Sequence, residues 1–191
     1  MSVHRPTRQR QAREPARVEL PPRHQSNRLR IGQRGKGTDG WVHLDCHPSA
    51  DIVATIPPLP ACVLGRRWQV IEGIHVWEHF YSWEAEQLAQ SIHAALAVGG
   101  QLILECPNLA VACRSFLGQY RDADSYHMHV FYGDPQRRDP SYCHRWGYTP
   151  QTLRQQLIEC GGFQAADVRI QPARFHVPDR DFCVVATKRA T

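Results

Sequence analysis

From Leu29 onward, short apolar runs alternate with stretches of four-residue apolar spacing, whereas residues 1–28 hold almost no apolar side chains. Leu29-Arg30-Ile31, Trp41-Val42-His43-Leu44-Asp45, Ile52-Val53-Ala54 and Trp68-Gln69-Val70-Ile71 read as strands. The first ends in the glycine cluster Gly32, Gly35, Gly37 and Gly40, and the third is cut off by Pro57, Pro58 and Pro60. A helix is predicted to open with Ser82 as its cap, with Glu84 and Glu86 in the first turn, where the helix dipole favours carboxylates. Leu88, Ile92 and Leu96 then mark one apolar face, and Gly99-Gly100 closes the helix. Gln101 to Cys106 is a strand stopped by Pro107. Thr149-Pro150 opens a second helix, cap then proline, which runs through Leu153, Leu157 and Ile158 to Gly161-Gly162. Val168-Arg169-Ile170 and Phe182 to Ala186 are joined without a helix, so they form an antiparallel pair at the sheet edge. Strands alternating with helices predict an α/β fold, a mostly parallel sheet with helices on both faces.

Length and charge sharpen this picture. With 191 residues the chain suffices for one domain with a sizeable core. The formal net charge is +5, and the seven arginines of residues 1–28, set against Glu14 and Glu19, account for all of it. The remaining residues carry 16 basic and 16 acidic side chains, so the basic character belongs to a tail and not to a folded face. Residues 1–28 cannot bury enough surface to offset their ordering entropy and are expected to be a disordered, Arg-rich tail ahead of a domain over 29–191. Such a tail either tethers the protein weakly to RNA, DNA or anionic lipid or is a passive extension. There is no run of 18 apolar residues for a membrane span and no apolar segment for secretion. Seven cysteines without a CxxC pair read as reduced thiols, and a cytoplasmic location is expected.

The order of several segments carries a resemblance. Val70-Ile71, His75-Val76-Trp77-Glu78-His79, a helix, and Ala97-Val98-Gly99-Gly100-Gln101-Leu102 are followed by His144-Arg145-Trp146-Gly147-Tyr148-Thr149-Pro150 and by Gly161-Gly162-Phe163. Over about residues 29–188 this resembles the class I S-adenosylmethionine-dependent methyltransferases, in particular the small type-11-like ones. The resemblance implies a Rossmann-like sheet and S-adenosyl-L-methionine as cofactor. It implies that Gly32 and Gly35 let the backbone approach the amino-acid end of the cofactor, where a Cβ would obstruct it. Asp45 would accept hydrogen bonds from the ribose hydroxyls, Thr55 would lie near the adenine, and Ile74, His75 and Val76 would face the methyl-donor end. Four departures stand against this pattern: Arg34 at a position usually held by glycine, Thr55 and Gln69 where acids are common, and about ten residues without helical pattern between the first two strands.

Tyr120 to Tyr148 forms an insertion holding Asp122, Asp124, His127, His129, Tyr132, Asp134, Cys143 and His144. As a zinc site, His127, His129, Cys143 and His144 have a spacing that suits no common tetrahedral set, so no metal is expected there. As a loop over the active site, the insertion offers a general base for a hydroxyl or amine acceptor: His144 first, His129 second, with His79 of the earlier motif as the third candidate. The leading reading is methyl transfer to a small-molecule or glycan-like acceptor by a monomer or dimer. A non-catalytic methyltransferase-like binding module is the alternative. A nucleic-acid-modifying enzyme is disfavoured, because the chain lacks an Asn-Pro-Pro-Tyr-like segment after the fourth strand and a basic stripe on its domain.

Overall fold

The structure, a computed structural model of the chain, describes residues 26–118, 125–175 and 177–190. Its strands are β1 (Arg28–Ile31), β2 (Val42–Asp45), β3 (Ile52–Val53), β4 (Trp68–Ile74), β5 (Leu96–Pro107), β6 (Val168–Pro172) and β7 (Asp181–Thr187). They form one seven-stranded sheet in the order β3-β2-β1-β4-β5-β7-β6. The first five run parallel, and β7 lies antiparallel between β5 and the edge strand β6. This is the Rossmann-like, mostly parallel α/β sheet with the antiparallel C-terminal pair that the pattern predicts.

Side chains alternate across the pleat, so each strand sends every second residue to the same face. Leu29, Ile31, Val42, Leu44, Ile71, Leu102, Leu104 and Val184 form one such face and belong to a single core cluster. Helices α1 (Ala61–Leu64), α2 (Ser82–Ala95) and α5 (Pro150–Glu159) fill that core from above with Val63, Leu88, Ile92, Leu153 and Leu157. The opposite pleat positions are charged and paired. Arg30 and Arg174 both donate to the buried Glu72, at 2.7 and 3.1 Å. The backbone N–H groups of Arg174 and Phe175 donate to Glu105 on β5 at 2.8 and 3.1 Å, tying the β6–β7 connection down onto this side.

Two helix ends differ from the expectation. The cap of α2 is Tyr81, whose N–H donates to Glu84, and Ser82 is the first helical residue. The helix also stops at Ala95, not at Gly99-Gly100, because Leu96 turns extended and is buried as the partner of Trp68 on β4. α5 keeps its Thr149 cap and Pro150 start. Three helices, the short α1, α3 (Leu109–Gly118) and α4 (Ser125–Tyr132), were not anticipated; Asn108, whose Oδ1 accepts the Ala110 N–H, is the sequence signal for the start of α3. Among the described residues no helix is long and apolar enough to cross a membrane. Residues 1–25 of the proposed tail, together with Asp122 and Asp124, lie outside the described residues, as does the His127 side chain.

Candidate functional site

Residues 32–41 join β1 to its parallel neighbour β2 without a helix. The link is held to the β2–β3 turn instead. Gly35 N–H donates to Ser49 Oγ at 3.0 Å, and Asp51 Oδ2 accepts from both Gly37 N–H (2.7 Å) and His43 N–H (2.9 Å). His43 Nδ1 lies 3.1 Å from the Gly35 carbonyl, and Lys36 donates to the Ala50 carbonyl. Arg34 is exposed, with its guanidinium 4.9 Å over the Tyr142 ring.

Strand register assembles the proposed cofactor residues. Ile31 pairs with Leu44 on β2 and with Gly73 on β4. The next residue of each strand therefore falls on one row, with Asp45, Gly32 and Ile74 side by side at the carboxyl edge. The order of strand addition reverses between β1 and β4, since β2 and β3 build outward one way and β5 the other. In open α/β sheets this switch point is where ligands bind.

Each residue on the row has a local reason for its place. Gly32 has φ +71, and a Cβ there would come within 2.4 Å of a Val76 methyl. The close approach at Gly32 is thus first of all to Val76, which wedges the ends of β1 and β4 together. Asp45 is fixed by its Oδ1, which accepts the His47 N–H at 2.7 Å, while among the described residues nothing donates to Oδ2. Thr55 is exposed just beyond Ala54, whose N–H donates to the Asp45 carbonyl. Gly35 lies in the linking loop, off the row, with open space where a Cβ would be.

His75 adopts φ 50, a left-handed conformation uncommon for a non-glycine residue and a mark of local strain at functional sites. Its N–H donates to the Glu105 carbonyl, and its ring points inward, with Nε2 3.0 Å from Asp181 and Nδ1 3.7 Å from Glu78. Burial alone would raise the Asp181 carboxyl, yet its hydrogen bonds with His75 and Arg180 prevail and hold it down at about 2. The His75 side chain is therefore a clamp between the end of β4 and β7.

Beyond it, a short 3-10 turn, Trp77–His79, sets up a polar cluster. Trp77 is fully buried and donates from its indole to Gln156 of α5 at 3.3 Å. The Glu78 carbonyl accepts N–H groups from Arg145 and Trp146, at 2.8 and 3.2 Å, which brings His144 beside this turn. The His79 and His144 rings meet edge to face with centroids 4.8 Å apart. Each ring directs Nδ1 at a backbone carbonyl, Cys143 for His79 (3.1 Å) and Val130 for His144 (2.9 Å). A carbonyl only accepts, so each Nδ1 carries a hydrogen, and in the neutral form of either ring the lone pair is on Nε2. Burial lowers the pKa of His79, with His144 adding to that and Glu78 opposing it. Glu78 is 2% exposed, and neither of its carboxylate oxygens has a hydrogen-bond partner of normal geometry. The buried Cys106 thiol next to it is pushed far up by burial and by the Glu78 charge, and stays protonated.

The structure thus brings the rings of His79 and His144 together, and holds His144 to Val130, the residue after His129. His129 lies on α4 with a buried Nε2 that has no hydrogen-bond partner among the described residues. Sequence reasoning missed Glu78, Asp51 and Asp181 as site residues. Glu78 was visible inside the His75–His79 motif, but nothing in the sequence places Asp181, 106 residues from His75, under that ring.

No protein-family model matches this chain, and no curated protein matches it. By structure the chain is similar to an S-adenosylmethionine-dependent methyltransferase from Archaeoglobus fulgidus, at TM-score 0.54 and 15% identity, covering 86% of this chain and 87% of the other. It is also similar to the CcbJ methyltransferase from Streptomyces caelestis, at TM-score 0.51 and 12% identity, covering 85% and 83%. The methyltransferase SibL aligns at TM-score 0.52 and 14% identity over 85% of this chain, which spans only 50% of SibL. These likenesses establish a fold: that of the class I S-adenosylmethionine-dependent methyltransferases.

Proposed function

We propose that this class I methyltransferase fold binds S-adenosyl-L-methionine across the ends of β1, β2 and β4 and transfers its methyl group to an oxygen of a small-molecule or glycan-like acceptor. The row Asp45–Gly32–Ile74 at the switch point is the observation that carries this reading. The residues suit the ligand: the unpartnered Oδ2 of Asp45 is an acceptor for ribose hydroxyls, Thr55 is free to meet the adenine side, and the Ile74–Val76 backbone borders the donor end. The cofactor supplies an electrophilic methyl on a sulfonium. The acceptor oxygen forms the new bond to carbon as the carbon–sulfur bond breaks, the sulfonium leaves as a neutral thioether, and the hydroxyl proton passes to a base. Such an in-line displacement needs positioning above all. The Nε2 atoms of His79, three residues after Val76, and of His144, whose ring meets that of His79 beside Glu78, are the bases of this reading. His129 is the reserve candidate on α4.

Competing with this is a binding module that has given up its cofactor, a reading favoured by the Gly35 and Gly37 N–H groups already committed to Ser49 and Asp51. A melting experiment separates the two. Millimolar S-adenosylhomocysteine is expected to raise the melting temperature of the chain, because a ligand that binds only the folded state stabilises it by mass action. No shift with either S-adenosylmethionine or S-adenosylhomocysteine favours the binding module. All seven cysteines are free thiols, which supports a reducing compartment and hence the cytoplasm.

A further inference from the structure

Glu78 poses a problem that methyl transfer alone leaves open. Burying a carboxylate without hydrogen bonds costs several kcal/mol, so such groups are paired or coordinate a cation. Among the described residues neither buried Glu78 oxygen has a hydrogen-bond partner of normal geometry; the Cys106 thiol beside it is only a weak donor, and His75 Nδ1 and His144 Nε2 lie 3.7 and 3.9 Å away. Both distances are too long for a hydrogen bond. Around it, Glu78, His79 and His144 each offer a ligand atom, all within 4.8 Å of one another.

We propose that Glu78, His79 and His144 bind a divalent transition-metal ion as a two-histidine, one-carboxylate set. Three features support this. First, the two imidazoles are pre-oriented by Nδ1–H bonds to the carbonyls of Cys143 and Val130, the outer-shell arrangement that fixes the tautomer of a metal-ligating histidine. Second, the ligands come from two rigidly joined segments, because the Glu78 carbonyl holds the N–H groups of Arg145 and Trp146. Third, a cation gives the buried carboxylate the partner that it lacks. Two nitrogens and an oxygen suit zinc, iron, cobalt or manganese, and three protein ligands leave positions open for an exogenous oxygen.

Another cluster of ligand-type residues among the described residues, His75, Glu105 and Asp181, does not share these features. Glu105 already accepts N–H groups from Arg174 and Phe175, and Asp181 is bound by Arg180 and His75. The metal set also differs from the histidine and cysteine set of the 120–148 insertion, sharing only His144 with it.

The role of the ion, which rests on the methyl-transfer reading, is to hold an acceptor hydroxyl beside the donor end and lower its pKa, so that its proton leaves to water; with the ion bound, the Nε2 atoms of His79 and His144 serve as ligands in place of bases. Metal binding itself is tested without cofactor or acceptor. The full chain, stripped with chelator, is titrated with Co2+ by calorimetry and visible spectroscopy. One ion per chain is expected, with d–d bands of nitrogen and oxygen ligation and no thiolate charge-transfer band. Glu78→Gln and His144→Asn should each weaken binding at least tenfold, and His93→Asn, remote on α2, should leave it unchanged. Circular dichroism checks folding, and His79→Gln replaces any variant that unfolds. Absence of stoichiometric binding, equal affinity in the ligand variants, or a thiolate band would overturn the proposal. Melting shifts with S-adenosylhomocysteine on the same preparation report on the methyltransferase reading separately.

Discussion

At the level of single residues, Gly32 and Asp181 show how much of the site is fixed by local constraint. Gly32 combines a positive φ with contact to Val76, so Gly32→Ala meets both a left-handed backbone penalty and steric overlap. A loss of about 3 kcal/mol in denaturant unfolding is expected. A loss under about 1 kcal/mol would mean that β1 and β4 are not wedged by Val76 as described. Asp181 makes a prediction about acid. Its carboxyl titrates at about 2 in the folded chain against 3.8 ordinarily. The unfolded chain thus takes up the proton first as pH falls. The stability from this group is complete above 3.8 and fades as pH drops towards 2, by about 2 kcal/mol in total. Denaturant midpoints followed from pH 5 to pH 2.5 should fall less steeply in Asp181→Asn than in the wild type. Equal slopes would show that the His75–Asp181 clamp contributes nothing.

Elements tell a second story, about what a sequence can and cannot announce. Thr149-Pro150 marks α5 correctly because a cap and an N1 proline act locally, within one turn. The end of α2 is set by a distant partner: Leu96 leaves the helix to lie buried against Trp68, so the Gly99-Gly100 signal is overruled by packing. The link from β1 to β2 illustrates the same limit. Its lack of helical pattern is legible, but its pinning depends on Ser49 and Asp51, which only folding brings alongside. Asp51→Ala leaves the Gly37 and His43 N–H groups without their acceptor and is expected to cost about 2 kcal/mol. It should also speed tryptic cleavage at Arg34 or Lys36, and unchanged cleavage would show that the loop is held by something other than Asp51. That Asp45, Gly32 and Ile74 stand at strand ends was legible, since strand ends follow from hydropathy. The Glu78–His79–His144 cluster was not, because it joins segments that only the Arg145 and Trp146 N–H bonds to Glu78 bring together.

For the whole molecule, the strand order gives the row its meaning. The strand order reverses between β1 and β4, and Asp45, Gly32 and Ile74 stand side by side there at the carboxyl edge by register. The core beneath holds Leu153 and Leu157 of α5 fully buried against the sheet. Leu157→Ala should cost about 2–5 kcal/mol in unfolding free energy. It should not abolish cofactor binding below its melting temperature, because α5 packs on the sheet and lends no residue to the row. The central claim is that this row holds S-adenosyl-L-methionine, and calorimetric titration of the full chain with S-adenosylmethionine, repeated on Asp45→Ala, tests it most directly. Saturable one-site binding that weakens at least tenfold in Asp45→Ala is the predicted result. No heat of binding at millimolar cofactor, or equal affinity in the two proteins, would contradict it.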